Sequence, residues 1–211
     1  MEKVIFGGLL FVFILSGCAG IPTHDDLNLL PGKVEGNQFI GIRYPFKVSV
    51  PSNWKMSTEF PGFLKELGYD EPGPSDKEVT ELYLYNPSTQ STILIDFTPV
   101  SPKAKFSQEK IEGLVTAATG AFKEELEAEY GKGIEVLIGS TEPITLKGVQ
   151  YAGKRYGIYT AKGIKREQGW IYGFTEPYQL FILYVIIDKE GINDREDIKM
   201  ILDSFEVFSK K

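Results

Sequence analysis

Apolar and polar residues alternate along much of this chain, and in one long stretch a helical period replaces the alternation. Phe46, Val48 and Val50 alternate with Lys47 and Ser49, the pattern of a strand with one buried face. Phe39, Ile40 and Ile42 predict a strand before it, and Tyr44-Pro45 marks the bend between the two. Residues 79–85 set Leu82 and Leu84 against Tyr83 and Tyr85, and residues 91–97 set Ile93, Ile95 and Phe97 against Leu94 and Asp96. Asn86-Pro87-Ser88 supplies the turn that joins these two strands. Strands are also predicted over 134–146, 151–160, 164–174 and 178–187, with Lys147-Gly148, Lys162-Gly163 and Glu176-Pro177 as tight connections in an antiparallel meander. The run from Leu180 to Ile187 is continuously apolar. A strand of that composition is covered on both faces, so the sheet needs a layer on each side.

The helical period runs from Ser107, where Ile111, Leu114, Val115, Ala118, Phe122 and Leu126 form one stripe and Gly131 and Gly133 supply the stop. A shorter helix is predicted near the end of the chain, with Asn193 as cap, Glu196 three residues on, and Ile198, Ile201 and Leu202 on its inner face. Phe205 to Phe208 then reads as an edge strand or a docked tail. Between Phe60-Pro61-Gly62 and Glu71-Pro72-Gly73-Pro74 lies a long connection holding Phe63, Leu64, Leu67 and Tyr69. Their spacing suits one or two helical turns. Connections of this length are either packed over a sheet edge or kept for function.

The first residues follow neither pattern. Val4 to Leu15 is an apolar run behind Lys3, short of the ~20 residues that span a bilayer and suited to the hydrophobic region of an export signal. It ends in Leu15-Ser16-Gly17-Cys18, which resembles the lipobox of bacterial lipoproteins. The resemblance implies that Cys18, the only cysteine in the chain, is acylated and that the peptide before it is removed. On this reading residues 1–17 are the signal peptide, 18–37 the lipidated cysteine and a tether, and 38–211 one globular domain. The mature domain then has no thiol for a disulfide and is stabilised by core burial alone. Ala19 stands where an aspartate would mark inner-membrane retention, so the expected location is extracytoplasmic and, in an organism with two membranes, the outer one.

Charge and residue types narrow the chemistry. A net charge of −6 argues against nucleic-acid binding and against electrostatic attraction to anionic lipid, so the expected membrane contact is through the acyl chains on Cys18. The single histidine, His24, lies on the tether, away from any rigid frame that a Ser-His-Asp or Cys-His arrangement requires. No phosphate-binding glycine loop is present. Asp70, Glu71, Asp76 and Glu78 lack the spacing of a calcium loop. No catalytic residue, metal ligand or cofactor is expected. The candidate partner surface comprises Phe63 and Tyr69 in the long connection and Lys162, Lys165 and Arg166 around one hairpin turn, with Lys154 and Arg155 nearby in sequence. The basic cluster is either a charged edge that discourages sheet aggregation or a docking patch for an acidic partner.

Residues 44–54, Tyr44-Pro45-Phe46-Lys47-Val48-Ser49-Val50-Pro51-Ser52-Asn53-Trp54, resemble the opening of a PsbP-like domain. The resemblance continues through the main helix, through Gly153, Tyr156 and Trp170, and ends at the closing helix and Ser204-Phe205. It implies an α+β fold, an α/β/α sandwich around a mainly antiparallel sheet. It also implies extracytoplasmic binding or assembly factors, usually without catalysis. The expected function is therefore that of a non-enzymatic envelope protein that binds a protein partner. The alternative is a small-ligand module with a pocket between the sheet and the long connection.

Overall fold

The strand predicted to be apolar on both sides, β11 (Tyr178–Ile187), lies in the middle of an eight-stranded sheet. The computed structural model describes residues 29–66, 80–189 and 192–208. In this sheet β11 pairs with β6 (Thr92–Pro99) on one side and β10 (Ile164–Thr175) on the other. Beyond β6 come β5 (Leu82–Tyr85) and β4 (Lys55–Ser57). Beyond β10 come β9 (Tyr151–Ala161) and the short β7 (Val136–Ile138) and β8 (Glu142–Pro143), both paired to β9. All of these pairings are antiparallel.

Alternation splits the core into two layers. Leu180, Ile182, Tyr184 and Ile186 of β11 face the same way as Ile93, Ile95 and Phe97 of β6 and Leu82 and Leu84 of β5. A second sheet covers this face, built from β1 (Gly32–Glu35), β2 (Gln38–Gly41), β3 (Phe46–Ser49) and β12 (Glu206–Val207), together with α3 (Asp194–Ser204). Trp170, Tyr172 and Phe174 of β10 face the other way, under α2 (Gln108–Tyr130), whose Ile111, Val115, Ala118, Phe122 and Leu126 are buried. The result is the expected α+β sandwich around an antiparallel sheet, with a helix on each face.

Helix α2 starts where the sequence placed it. The Ser107 side chain accepts from the Lys110 N–H, and the Gly131 N–H donates to the Glu127 carbonyl. Gly153 and Gly157 of β9 lie beneath it. A Cβ at Gly157 would stand 2.4 Å from the Phe122 ring, so a bare backbone is what lets the helix approach the sheet here. The Trp170 indole donates to the Val115 carbonyl over 2.8 Å, and the Gln108 amide donates to the Ala152 carbonyl over 2.9 Å.

Several expectations are corrected. The tether does not extend to residue 37, because Gly32–Glu35 forms β1 and pairs with β2. As an outermost strand with exposed side chains, β1 lacks the apolar alternation that would have disclosed it. The strand read over 134–146 is two short ones, because Gly139 seats against the Tyr156 ring and residues 139–141 leave the ladder. Lys147-Gly148 is not a tight connection; residues 144–150 separate β8 from β9, and Gly148, at φ +78, lies against the Val207 carbonyl. Asn193 stands at the start of α3 but makes no capping bond with its side chain.

Candidate functional site

The helix α1 (Gly62–Glu66) brings the long connection back over the edge of the larger sheet. Phe60 packs edge-on against Tyr83, and the Phe63 ring centre is 4.9 Å from that of Tyr85. Tyr83 and Tyr85 point away from Leu82 and Leu84, hence to the side that α2 occupies. Two helices therefore stand on one face, α2 over β9 and β10 and α1 over β5. Between them runs a strip of β6 and β11 whose Leu94, Asp96, Phe181, Leu183 and Val185 are half-buried. Phe63, itself half-buried, sits at the rim of this strip. Tyr69 lies outside the described residues, as do Cys18, His24 and the acidic group Asp70, Glu71, Asp76 and Glu78.

Glu125 extends the same face from α2. It is seven residues beyond Ala118 and so on nearly the same side of the helix, turned toward the flank that carries Leu114 and Ala121. Its carboxyl is pushed up from 4.5 to about 7, first by burial and then by the neighbouring Glu129. A carboxyl on the flank of an apolar stripe is a signal legible in sequence, but only once the helix has been placed against its sheet.

The basic turn is divided by the pleat. Lys162 and Gly163, at φ 51 and 76, form the two-residue loop of the β9–β10 hairpin, the backbone expected of a tight hairpin turn. Arg166 lies over the Tyr130 ring, 5.6 Å from its centre, and donates to its hydroxyl. Lys162 stands 5.9 Å from the same ring. Burial, reinforced by Glu129, pushes the Tyr130 hydroxyl up and keeps it protonated. Tyr130 and Lys162 line an open cleft of about 430 Å³ at the end of α2, together with Lys132, Gly133 and Ala161. Lys165 points to the opposite face and pairs with Asp188 at 3.2 Å, which Arg195 also contacts. Lys154 pairs with Glu142, and Arg155 donates to Thr119 and to the Gly139 carbonyl. Of the three candidate basic residues, the fold therefore joins Lys162 with Arg166 and sets Lys165 apart.

Two buried polar groups escape the sequence reading. Asp194, 2% exposed, accepts from the Asn86 amide at 2.8 Å and from the Ser91 hydroxyl at 2.6 Å, pinning the start of α3 to the β5–β6 turn. Arg43 and Glu81 form a buried ion pair of 2.8 Å between the smaller sheet and the approach to β5. Arg43 also donates to the Leu29 carbonyl. Both connect residues far apart in the chain, and no local pattern signals them.

No family model and no curated protein sequence matches this chain. Among solved structures, LpqN of Mycobacterium tuberculosis, described as involved in cell envelope biogenesis, is similar at 13% identity and a TM-score of 0.50, over 85% of this chain and 86% of that one. The solution structure of a cyanobacterial PsbP from Synechocystis sp. PCC 6803 aligns at 10% identity and a TM-score of 0.47, over 92% of this chain and 99% of the other. A protein of Bacteroides thetaiotaomicron VPI-5482 aligns at 10% identity and a TM-score of 0.46, and the match covers 84% of this chain and 50% of its own length. What the chain shares with LpqN across most of both molecules is the fold.

Proposed function

We propose that this chain is a lipid-anchored, extracytoplasmic protein of the bacterial cell envelope that acts by binding or assembling other components rather than by catalysis. The observation that carries the reading is Leu15-Ser16-Gly17-Cys18 behind a short apolar run, with the sole cysteine at the acylation position. Among the described residues no helix is long and apolar enough to cross a membrane, so in this reading retention falls to the acyl chains. The fold shared with LpqN, itself described as involved in cell envelope biogenesis, agrees with an envelope role. The partner is an envelope protein that meets the rim at Phe63, with the Lys162 turn steering its approach. Fatty-acid labelling of the full chain tests the anchor, and an unlabelled wild-type protein would end the reading. Chemical cross-linking in intact cells tests the partner. The expected result is one cross-linked species that a folded Phe63→Ala variant loses.

A second reading is favoured by the half-buried strip between α1 and α2. Leu94, Phe181 and Leu183 could floor a site for an apolar small molecule, with Glu125 at its side. Thermal-shift and native mass spectrometry of protein isolated from its own envelope separate the two. A co-purifying small molecule, with no cross-linked protein, selects this reading.

A further inference from the structure

Eight large apolar side chains are exposed among the described residues, and four of them, Leu29, Leu30, Val34 and Ile42, belong to the β1–β2 hairpin and its approach. They are 44%, 72%, 50% and 38% exposed. The Pro31 carbonyl accepts from the N–H groups of Ile42 and Arg43, which sets Leu30 beside the end of β2. Among the described residues β1 is the outermost strand of the smaller sheet and pairs only with β2. On the outward face of that sheet Ile40 stands opposite Lys33 on one side and Lys47 on the other, and Lys47 stands opposite Glu206. Lys47 and Lys147 both hold Glu206, at 3.0 and 2.8 Å, and keep its carboxyl below the usual range. Among the described residues Glu35 at the hairpin turn is a further carboxylate beside this surface, so it carries Lys33, Lys47 and Lys147 against Glu206 and Glu35, and Asp25 and Asp26 precede Leu29 in the sequence.

We propose that this hairpin is the surface on which the domain rests against a phospholipid bilayer. The proposal deepens the lipid-anchor reading and depends on it. Only residues 19–28 separate Cys18 from Leu29, and ten residues span at most about 35 Å when fully extended. The tether therefore keeps the bilayer within reach of the edge where Leu29, Leu30 and Ile42 are exposed, while Val34, paired with Phe39, lies on the other face of the hairpin. Side chains of this kind enter the boundary between headgroups and acyl chains, to a depth of ~5–10 Å. Lysines beside them lay their methylene stems along the apolar layer and keep the ammonium groups among the phosphates. A single acyl-bearing cysteine fixes distance and leaves rotation free. The hairpin supplies the second contact, which fixes orientation. It points the smaller sheet at the bilayer and leaves the α2 face, with Phe63 and Glu125, available to a partner.

The test uses the full chain, processed in a bacterial host and reconstituted in vesicles of phosphatidylethanolamine and phosphatidylglycerol with brominated acyl chains. With Cys18 acylated, Leu30→Cys, Ile42→Cys and, on the exposed face of α2, Glu124→Cys each present one thiol for a fluorophore. All three positions are exposed, and near-UV circular dichroism matching wild type confirms the fold of each variant. The expected result is quenching about threefold stronger at 30 and 42 than at 124, as side chains at the acyl boundary would show. Equal quenching at the three sites, with the protein still bound to vesicles, overturns the orientation and leaves the anchor standing. Loss of the protein from vesicles overturns both. Shielding of the labels at 30 and 42 only when host membrane proteins are added overturns the proposal in favour of a protein interface at the hairpin.

Discussion

A core aromatic and a solvent-facing acid two residues apart test the placement of α2 most directly. Phe122 is buried against Trp170 and Tyr159, its ring centre 5.0 Å from that of the tryptophan. Phe122→Ala is expected to cost ~3–5 kcal/mol, whereas Glu124→Ala, exposed on the outer face, should change stability by less than ~0.5 kcal/mol. Similar urea midpoints for the two variants would contradict the observed packing. Glu125 gives a prediction in pH. Its carboxyl is raised to about 7 from 4.5, so between those values the folded chain holds a proton that the unfolded chain releases. Stability therefore falls as pH rises through that window, and the penalty is complete above it. Since the residue is only half-buried, the penalty is discounted to ~1 kcal/mol. Glu125→Gln should raise the melting temperature at pH 8 and leave it unchanged at pH 4; an equal shift at both would assign the effect to packing instead. Asp194 is the third case. Asp194→Ala leaves the Asn86 amide and the Ser91 hydroxyl without their acceptor, at a cost of ~1–3 kcal/mol, and hydrogen exchange should show α3 released first.

At the scale of elements, the basic hairpin shows how alternation divides what sequence places together. Lys165 and Arg166 are adjacent, but one pairs with Asp188 at the surface and the other packs on Tyr130. Lys165→Glu should leave stability within ~0.5 kcal/mol of wild type. Arg166→Glu forfeits a cation–aromatic contact and is expected to cost ~1–2 kcal/mol. A partner-binding defect in the first variant reports on charge; in the second it mixes charge with a displaced end of α2. Thermal unfolding of both, beside a binding measurement, separates the two effects. The strand split at Gly139 and the unforeseen strand β1 have related causes. Each is a peripheral element whose pairing is decided by a neighbour distant in sequence, Tyr156 in one case and the β2 strand in the other. Elements with a strong internal period, α2 and β11 above all, were legible to within a residue or two because burial of one or both faces dictates their composition.

For the whole molecule the decisive prediction concerns the anchor. Cys18→Ser should abolish fatty-acid labelling and membrane retention while the folded domain keeps its circular dichroism and melting temperature, since residue 18 precedes every described element. Retention of the variant in the membrane fraction would point to another means of attachment. The alternation and the continuously apolar strand determined, by themselves, that the chain forms an antiparallel sheet covered on both faces. The single helical stripe determined which residues of α2 meet that sheet. These follow from local composition because burial of a face leaves a period that survives in one dimension. The lipobox-like tetrapeptide is likewise a linear signal. Tertiary structure alone decided that Phe63 rests on Tyr85 while a half-buried strip lies between the two helices. It decided that Asp194 and the Arg43–Glu81 pair are buried, and that the apolar positions 29, 30 and 42 are exposed where the chain enters and leaves the β1–β2 hairpin. Such juxtapositions join residues tens of positions apart, or depend on which strand stands outermost, and a one-dimensional pattern carries neither.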